Sequence, residues 1–295
     1  MSTLLLFLLA CGGPKNSDTS GETEATELDR TCDPIAPTLC GLPFPSTFYM
    51  VASDTSETGW QINFGEKTLP RNFNLVQTLP TYINEKDGFS PLTPAIAHLP
   101  DATADGLISH LDIGRYEDSE AKTVILNLDS GERVPHFAEI DESGLDPDRK
   151  MLILHPVEPM EHGGHYAVGI RNVTNSAGEL VAASDGFAAL RDGDGTSSSD
   201  PLVTERQDWY DDTLFPALEA TGFAQNDLQL AWDFVVASRD GVTGKSLWMR
   251  DDLYDRLGTD GPPYVITSIE EDVNESTARR VYGEMTVPLY TEFDA

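Results

Sequence analysis

The sequence predicts a mainly β protein, in which an antiparallel β-sandwich is followed by a smaller α+β segment. Three observations support this fold class. Short apolar runs separated by turn residues fill residues 91–190, several of these runs alternate in the manner of strands, and beyond residue 204 apolar residues recur at helical spacing. Antiparallel sheets with one solvated face typically show such short strands and frequent turns.

The first segment has the composition of an export signal, with an unbroken apolar run over Leu4–Ala10 and a cysteine at Cys11. As a helix this run would rise about 10 Å, whereas a bilayer span needs roughly 20 residues. The sequence Leu8-Leu9-Ala10-Cys11 resembles the lipobox of bacterial lipoproteins. It implies a signal peptide over 1–10, lipidation of Cys11 and a lipid anchor at the outer membrane or cell surface. The alternative is a buried hydrophobic N-terminus with an incidental cysteine.

Residues 11–31 are predicted to be a disordered acidic tether, because they contain almost no apolar side chain. Folded structure is expected from Cys32, at the start of a β-rich segment over 32–90. Once Cys11 is lipidated, Cys32 and Cys40 remain, and in an oxidising compartment they predict a disulfide that closes a short loop. On the loop-closure model this disulfide contributes about 2–3 kcal/mol.

Strands are predicted in both β-rich segments. Within 32–90 they are Thr47–Ala52 and Gln61–Phe64. Within the sandwich, 91–190, they are Ala95–Leu99, Val124–Asn127, Val134–Ile140, Met151–His155, Tyr166–Ile170 and Gly186–Leu190. The alternation is clearest in the fifth of these, where Tyr166, Val168 and Ile170 fall on one face.

A low-complexity hinge over 191–203 precedes the α+β segment, 204–295. This segment is predicted to contain two helices, a buried strand and two further strands, at Thr204–Glu219, Gly244–Leu257, Leu228–Val236, Tyr264–Ile269 and Arg280–Tyr290 respectively. The second helix carries an apolar stripe of Leu247, Trp248, Leu253, Tyr254 and Leu257.

The stretch Met151–Pro156, followed by Gly164–Ile170 and Gly178-Glu179-Leu180, resembles the bacterial Ig-like modules of surface-layer proteins. In those modules a strand ending in proline precedes a Tyr-rich strand and a D-x-x-G turn, and Asn175 stands here at the position of the usual Asp. The resemblance covers roughly 110–190. It implies an Ig-like sandwich acting as a binding or spacer module, because such sandwiches carry function on grafted sites.

Fifty Asp and Glu residues against 19 Lys and Arg residues give a net charge of −31. Such a surface repels nucleic-acid phosphates and anionic lipid headgroups, so nucleic acid and a bare membrane surface are not expected as partners. Two interpretations of the charge remain open. The carboxylates either keep an exported protein soluble or bind divalent cations.

Calcium is the small ligand that the hinge could hold. Asp192, Asp194 and Asp200 supply carboxylates, and Thr196 and Ser198 supply hydroxyls between them. The alternative is a solvated linker, because the spacing departs from that of an EF-hand loop. No other cofactor is expected.

The sequence contains no catalytic motif: G-x-S-x-G, H-E-x-x-H, a P-loop and a dinucleotide fingerprint are all absent. The pair His162-Gly-Gly-His165 is open to two interpretations, a metal-ligand pair or the turn of a hairpin. Charges within otherwise apolar elements either line a cleft or form salt bridges between packed elements; they are Arg206, Asp233, Arg239 and Arg250.

The order of elements, ending in R-V-Y-G-E-M-T-V-P-L-Y at 280–290, is similar to the N-terminal region of large bacterial extracellular lipases and esterases. That region, the virulence-factor lipase N-terminal domain, precedes an α/β-hydrolase domain. The resemblance covers about 32–290. It implies that the catalytic domain lies outside this chain, and no catalytic residue is transferred from it.

Three functions follow as alternatives. The first is a non-catalytic portion of a lipid-anchored surface protein that anchors and presents or gates a hydrolase domain. The second is a free-standing Ig-like module that binds protein or glycan, and the third is an enzyme with an unrecognised site. An exposed apolar patch near the C-terminus would favour the first over the second, because the contact surface for a missing domain would be uncovered.

Overall fold

A computed structural model describes residues 29–143, 146, 149–193 and 198–290. The strands are β1 (Met50–Ala52), β2 (Trp60–Ile62), β3 (Ala95–Ala97), β4 (Thr123–Asn127), β5 (His136–Ile140), β6 (Leu152–Pro156), β7 (His165–Arg171), β8 (Leu228–Val235), β9 (Tyr264–Asn274) and β10 (Thr277–Met285). The helices are α1 (Asp185–Arg191), α2 (Pro201–Thr204), α3 (Gln207–Trp209), α4 (Phe215–Ala220) and α5 (Arg239–Leu257). Among these helices, none is long and apolar enough to cross a bilayer.

Two three-stranded antiparallel sheets form the body of the molecule. Their strand orders are β3-β6-β5 and β4-β7-β8, and the pairs β1–β2 and β9–β10 are separate two-stranded sheets. This confirms the mainly β, antiparallel fold class, and the arrangement is compatible with a sandwich. The structure has β4 to β7 at the positions predicted for the central strands of the sandwich segment.

β8 is buried along its whole length, with all eight residues shielded from solvent. It pairs with β7 in a register that sets Ala167 opposite Asp233 and Ile170 opposite Leu230. A strand covered on both faces loses the apolar–polar alternation of a half-exposed strand, which explains its nearly continuous apolar sequence. The side chain of Gln229 is satisfied by the backbone of Val173, to which Nε2 donates at 2.9 Å and from which Oε1 accepts at 2.7 Å.

The core extends across the predicted segment boundaries. β8 lies beyond the predicted hinge, yet its partner β7 belongs to the predicted sandwich. Isolated bridges join Phe44 to Ile96 and Phe89 to Val236. One cluster of buried apolar residues therefore contains side chains from position 35 to position 236.

The predicted strand Gly186–Leu190 is wrong, because these residues belong to α1. Ser184 caps the helix, and its side chain accepts a hydrogen bond from the backbone N–H of Phe187. Phe187 and Leu190 are three residues apart and both buried, so one helical face points inward. This local capping outweighs the short apolar run that suggested a strand.

Two other elements differ in part from the prediction. Of Thr47–Ala52, only the last three residues form β1, because Ser46 caps a 3₁₀ turn over Thr47–Tyr49 through the N–H of Phe48. The predicted helix Thr204–Glu219 is divided by a π turn at Tyr210–Leu214, just before α4. Pro216, near the start of α4, has no N–H to continue the regular ladder.

His136 on β5 is fully buried between two hydrogen bonds. Its Nδ1 lies 2.8 Å from the carbonyl oxygen of Val134, and its Nε2 lies 3.0 Å from the hydroxyl of Thr123. Because the carbonyl can only accept, Nδ1 carries the proton and Nε2 accepts from the hydroxyl. Burial lowers the pKa of His136 from 6.5 to about 4, since it disfavours the charged imidazolium.

We expect His136 to make the fold sensitive to mild acid. Above pH 6.5 the imidazole is neutral in both folded and unfolded chains, and its contribution to the free energy of unfolding is fully present. Between pH 6.5 and about 4 the unfolded chain binds a proton that the folded chain does not, so the free energy of unfolding decreases as the pH is lowered. The expected loss is on the order of 3 kcal/mol, measured by urea unfolding at several pH values.

The variant His136→Asn retains an amide donor for Val134 and cannot titrate. The slope of its unfolding free energy against pH should therefore be smaller in this window, by the amount that the uptake of one proton on unfolding produces. His155→Asn is the control, because the His155 side chain is 32% exposed. Equal pH dependence in the wild type and His136→Asn would show that burial of His136 has no titration consequence.

Candidate functional site

The residues predicted to carry chemistry have different fates in the structure. Cys32 and Cys40 form the predicted disulfide. Cys11, the predicted lipidation site, lies outside the described residues, as does Asp194 of the predicted calcium loop.

The two remaining members of the calcium set have other partners. Asp192 forms a salt bridge with Arg191 at 2.7 Å, and Asp200 caps α2 by accepting from the N–H of Leu202. In the described part of the chain, no three His, Cys, Asp or Glu side chains are grouped in a way that could hold a metal ion. Calcium binding at this loop stays a prediction.

The histidines of His162-Gly-Gly-His165 contact different groups. His162 Nδ1 lies 3.1 Å from the carbonyl oxygen of Ala237, and His165 Nε2 lies 2.6 Å from Asp233 Oδ2. Gly163 between them has φ +77°, a left-handed value that glycine adopts without strain. The separate partners argue against a metal-ligand pair. The motif is a turn before β7, and the hairpin interpretation is wrong as well, because β6 and β7 belong to different sheets.

The C-terminal part of the described chain forms a projection without a core, which we call the arm (residues 239–290). The predicted helix is present as α5, but none of its residues is buried, although an inward apolar stripe is predicted. Trp248 and Tyr254 of that stripe are each 62% exposed. Within the residues that the structure describes, α5 thus buries no side chain in a core, although the packing of an apolar face is what stabilises most helices in proteins.

The hairpin of the arm, β9 and β10, is exposed on both faces. Tyr264, Val265 and Ile266 are consecutive and are 68%, 65% and 50% exposed. Because successive strand residues point to opposite sides, these three place apolar side chains on both faces. Further exposed apolar residues are Ile269, Val281, Tyr282, Met285, Val287 and Leu289.

Both outer edges of this hairpin are also open, because the sheet that it forms has two strands only. An isolated two-stranded hairpin is marginally stable in water, and three or more strands with a covered face are needed for independent stability. Unpaired strand edges are templates for further pairing. The arm therefore has the form of an incomplete layer, with two uncovered faces and two free edges.

Most charged residues of the hairpin lie toward its tip, next to Ile269 and Val281, whereas Glu284 lies at the base opposite Val265. Across the strands, Arg279 pairs with Glu271 at 2.8 Å and Arg280 with Glu270 at 3.3 Å. All four side chains are about half exposed, so the pairs contribute little to stability. The hairpin consequently has a solvated tip and an apolar base.

Two polar contacts hold the base of the arm on the body of the molecule. Lys86 Nζ donates to the carbonyl oxygen of Gly241 at 3.0 Å, and Lys245 Nζ pairs with Glu85 at 2.7 Å. The loop that leads into Glu85 is itself apolar and exposed, with Phe73 99% accessible. The body therefore also exposes apolar side chains, in the loop that precedes this junction.

The last described residue of the arm returns to α5. The Tyr290 hydroxyl donates to Asp252 Oδ2 at 2.6 Å, and its ring meets Trp248 edge-on with centroids 6.0 Å apart. Arg256 donates to the same carboxylate oxygen at 2.7 Å. The hydrogen bonds from Tyr290 and Arg256 lower the pKa of Asp252 below its usual value, so the carboxylate is ionised at neutral pH.

Arg206 and Asp233 fulfil both interpretations that the sequence leaves open. Arg206 forms a two-pronged salt bridge with Asp33 and lines a cavity, and Asp233 pairs with His165 beside the same cavity. Arg239 is exposed, and Arg250 pairs with Asp251 on the surface, so neither lines a cleft.

Trp209 lines the cavity but is not among the predicted site residues, although it falls within the predicted helix Thr204–Glu219. Its near neighbours Asp208, Asp211 and Asp212 are acidic, which is the signal that could have suggested exposure.

The chain matches no family model, no curated protein and no solved structure. A function can therefore be proposed only from the contacts and exposed surfaces of its own residues. Of these surfaces, the arm is the largest departure from a self-contained fold.

We predict that the exposed residues of the arm contribute nothing to the stability of the body. Val265→Ser and Ile266→Ser should each change the free energy of unfolding by less than about 0.5 kcal/mol, since their side chains are already solvated. Leu230→Ala on β8 is the matched control and should cost about 2–5 kcal/mol, because Leu230 is buried. Urea unfolding measures both, and a cost for Ile266→Ser similar to that for Leu230→Ala would mean that the arm is packed in solution.

Proposed function

We propose that this chain is the non-catalytic part of a lipid-anchored surface protein, and that its arm docks and presents an α/β-hydrolase domain. The observation that carries the proposal is the uncovered apolar hairpin, β9 and β10. Its apolar side chains are exposed on both faces, and apolar surface left exposed in this way marks interaction sites in soluble proteins.

The sequence of the hairpin suits a partner that covers both of its faces. Tyr264-Val265-Ile266 is a continuous apolar run, and such runs are typical of strands whose sheets are covered by helices on both faces. A partner that added strands at the free edges and helices on both faces would bury the whole apolar base. Sheets of this kind are characteristic of α/β domains.

Two resemblances support the same proposal from the sequence side. The residues 280–290 are similar to the end of the N-terminal region that precedes the hydrolase domain in bacterial extracellular lipases and esterases. The Leu8-Leu9-Ala10-Cys11 segment resembles a lipobox, and lipidation of Cys11 would tether the body at the cell envelope through the acidic segment 11–31. The body, with two antiparallel sheets compatible with an Ig-like sandwich, would act as the spacer.

The second candidate function is a free-standing Ig-like module that binds protein or glycan. It is favoured by a cavity in the body that lies apart from the arm. The exposed hairpin discriminates between the two candidates, because a free-standing module has no need of an uncovered apolar layer.

The proposal is tested by photo-crosslinking in the producing cell. A benzoylphenylalanine residue replaces Tyr264 in the arm, and in a control variant it replaces Leu111, which is 85% exposed on the body. We expect an adduct from position 264 and none from position 111. Peptide mapping should place the adduct in a domain whose serine reacts with a fluorophosphonate probe, because an activated serine is the nucleophile of such hydrolases.

The same experiment distinguishes the alternatives. A hydrolase on the same polypeptide gives a crosslink within one chain, and a separate hydrolase gives a crosslink between two. An adduct that does not react with the fluorophosphonate contradicts the proposal. Reaction of the purified chain itself, lost on a serine substitution within it, would instead show an enzyme with its own site.

A further inference from the structure

A cavity of about 300 Å³ lies in the body where the N-terminal segment meets β7, β8 and the helices after the hinge. Its volume is at the lower end of the range for small-molecule sites, about 300–1000 Å³. The residues that matter for its chemistry are Arg30, Trp60, His165, Glu205, Trp209 and Asp233. Trp60, His165 and Asp233 lie on paired strands, and Arg30 and Glu205 are joined by a salt bridge.

The floor of the cavity is rigid. Arg206 forms a two-pronged salt bridge with Asp33, with nitrogen–oxygen distances of 2.8 and 3.1 Å, and its guanidinium lies 5.0 Å from the centre of the Phe48 ring. Burial raises the pKa of Asp33, and Arg206 opposes this effect. Tyr210 beside them donates its hydroxyl to the carbonyl oxygen of Ala231 at 2.9 Å. These groups are therefore occupied with one another and support the wall rather than the ligand.

Two arginine–carboxylate pairs lie around the cavity. Arg206 faces Asp33, Arg30 faces Glu205 at 2.5 Å, and the carboxylate of Asp233 accepts from His165. Both arginines are thus already paired, and the whole chain has a net charge of −31, so an anionic ligand is not favoured.

Polar atoms nevertheless face the cavity without a partner. The side chain of Asp233 is only 7% exposed, and of its two oxygens Oδ2 bonds to His165 while Oδ1 makes no hydrogen bond to the described residues. Nδ1 of His165 likewise makes none to the described residues. These two atoms therefore keep hydrogen-bonding capacity that a ligand in the cavity can use.

The other wall is aromatic. The Trp209 ring is stacked on the His165 ring, with centroids 5.3 Å apart and planes inclined by 10°, and the residue is 38% exposed. Trp60 approaches from the hairpin of β1 and β2. Indole rings supply apolar surface at small entropic cost, and each also carries an N–H donor.

We propose that this cavity binds one neutral sugar ring, as a free monosaccharide or as the terminal residue of a glycan. A pyranose has an apolar C–H face that packs on indole and a rim of hydroxyls that both donate and accept. The hydroxyls match the free oxygen of Asp233, Nδ1 of His165 and the Arg30–Glu205 pair, and an uncharged ring needs no counter-charge from the arginines, which are already paired. The site contains no residue of the arm, so this proposal does not depend on the proposed hydrolase partner.

The test is saturation-transfer difference NMR on the purified full chain. The probes are the methyl glycosides of the common neutral hexoses, 6-deoxyhexoses and N-acetylhexosamines, with tetramethylammonium as a cationic probe. We expect at least one glycoside to bind with a dissociation constant on the order of millimolar, as is typical for so few contact atoms. Trp209→Ala and Asp233→Asn should each weaken that binding by about tenfold or more, the loss of roughly one good contact.

Trp248→Ala is the matched control, because Trp248 is an exposed tryptophan on α5 and should leave glycoside binding unchanged. Trp209→Ala removes a part-exposed side chain and should fold, as circular dichroism would verify, so the test does not depend on the buried Asp233. Binding unaffected by Trp209→Ala overturns the proposal. So does tetramethylammonium binding without any glycoside, which would identify a cation site, and so does no binding by any glycoside.

Discussion

The antiparallel pairing of β7 with β8 joins parts of the chain that the sequence pattern separates. β8 is buried on both faces, and a buried strand must satisfy its backbone N–H and carbonyl groups through neighbouring strands. Its partner β7 also pairs with β4, so the three strands form one continuous sheet in the body. The cavity and the base of α5 both lie at the end of this sheet where β7 begins and β8 ends. Their geometry therefore depends on the β7–β8 register.

A second constraint is the buried ion pair of Asp33 and Arg206. Burying two charges costs free energy that their attraction only partly offsets, while removing one partner from such a pair typically costs about 3–5 kcal/mol. The pair is thus poor evidence for added stability and better evidence for positioning. It holds the segment after the disulfide loop's first cysteine against the helices that follow the hinge. Arg30, three residues before Asp33, is brought within reach of Glu205 by the same contact.

Much of the fold follows from local patterns, and the failures have identifiable causes. β4 to β8 could be predicted because their apolar runs are bounded by turn residues. The disulfide could be predicted because Cys32 and Cys40 are close together in the sequence. Gly186–Leu190 could not, since Ser184 as a helix cap outweighs a short apolar run. The cavity was only half predictable. Charges at Arg206 and Asp233 are visible in the sequence, but their joining to Asp33 and His165 depends on long-range packing.

A comparison of β8 with β9 shows what a hydrophobic sequence pattern predicts about burial and what it does not. Both strands contain consecutive apolar residues, yet every residue of β8 is buried and ten of the eleven residues of β9 are exposed. Pattern determines that a face is suited to burial, because the transfer of apolar surface from water is favourable whatever covers it. It does not determine whether the cover comes from the same fold. For β8 the body supplies the cover, whereas for β9 and α5 it does not. The apolar area left exposed on β9 and α5 therefore defines the surface that a partner would have to cover.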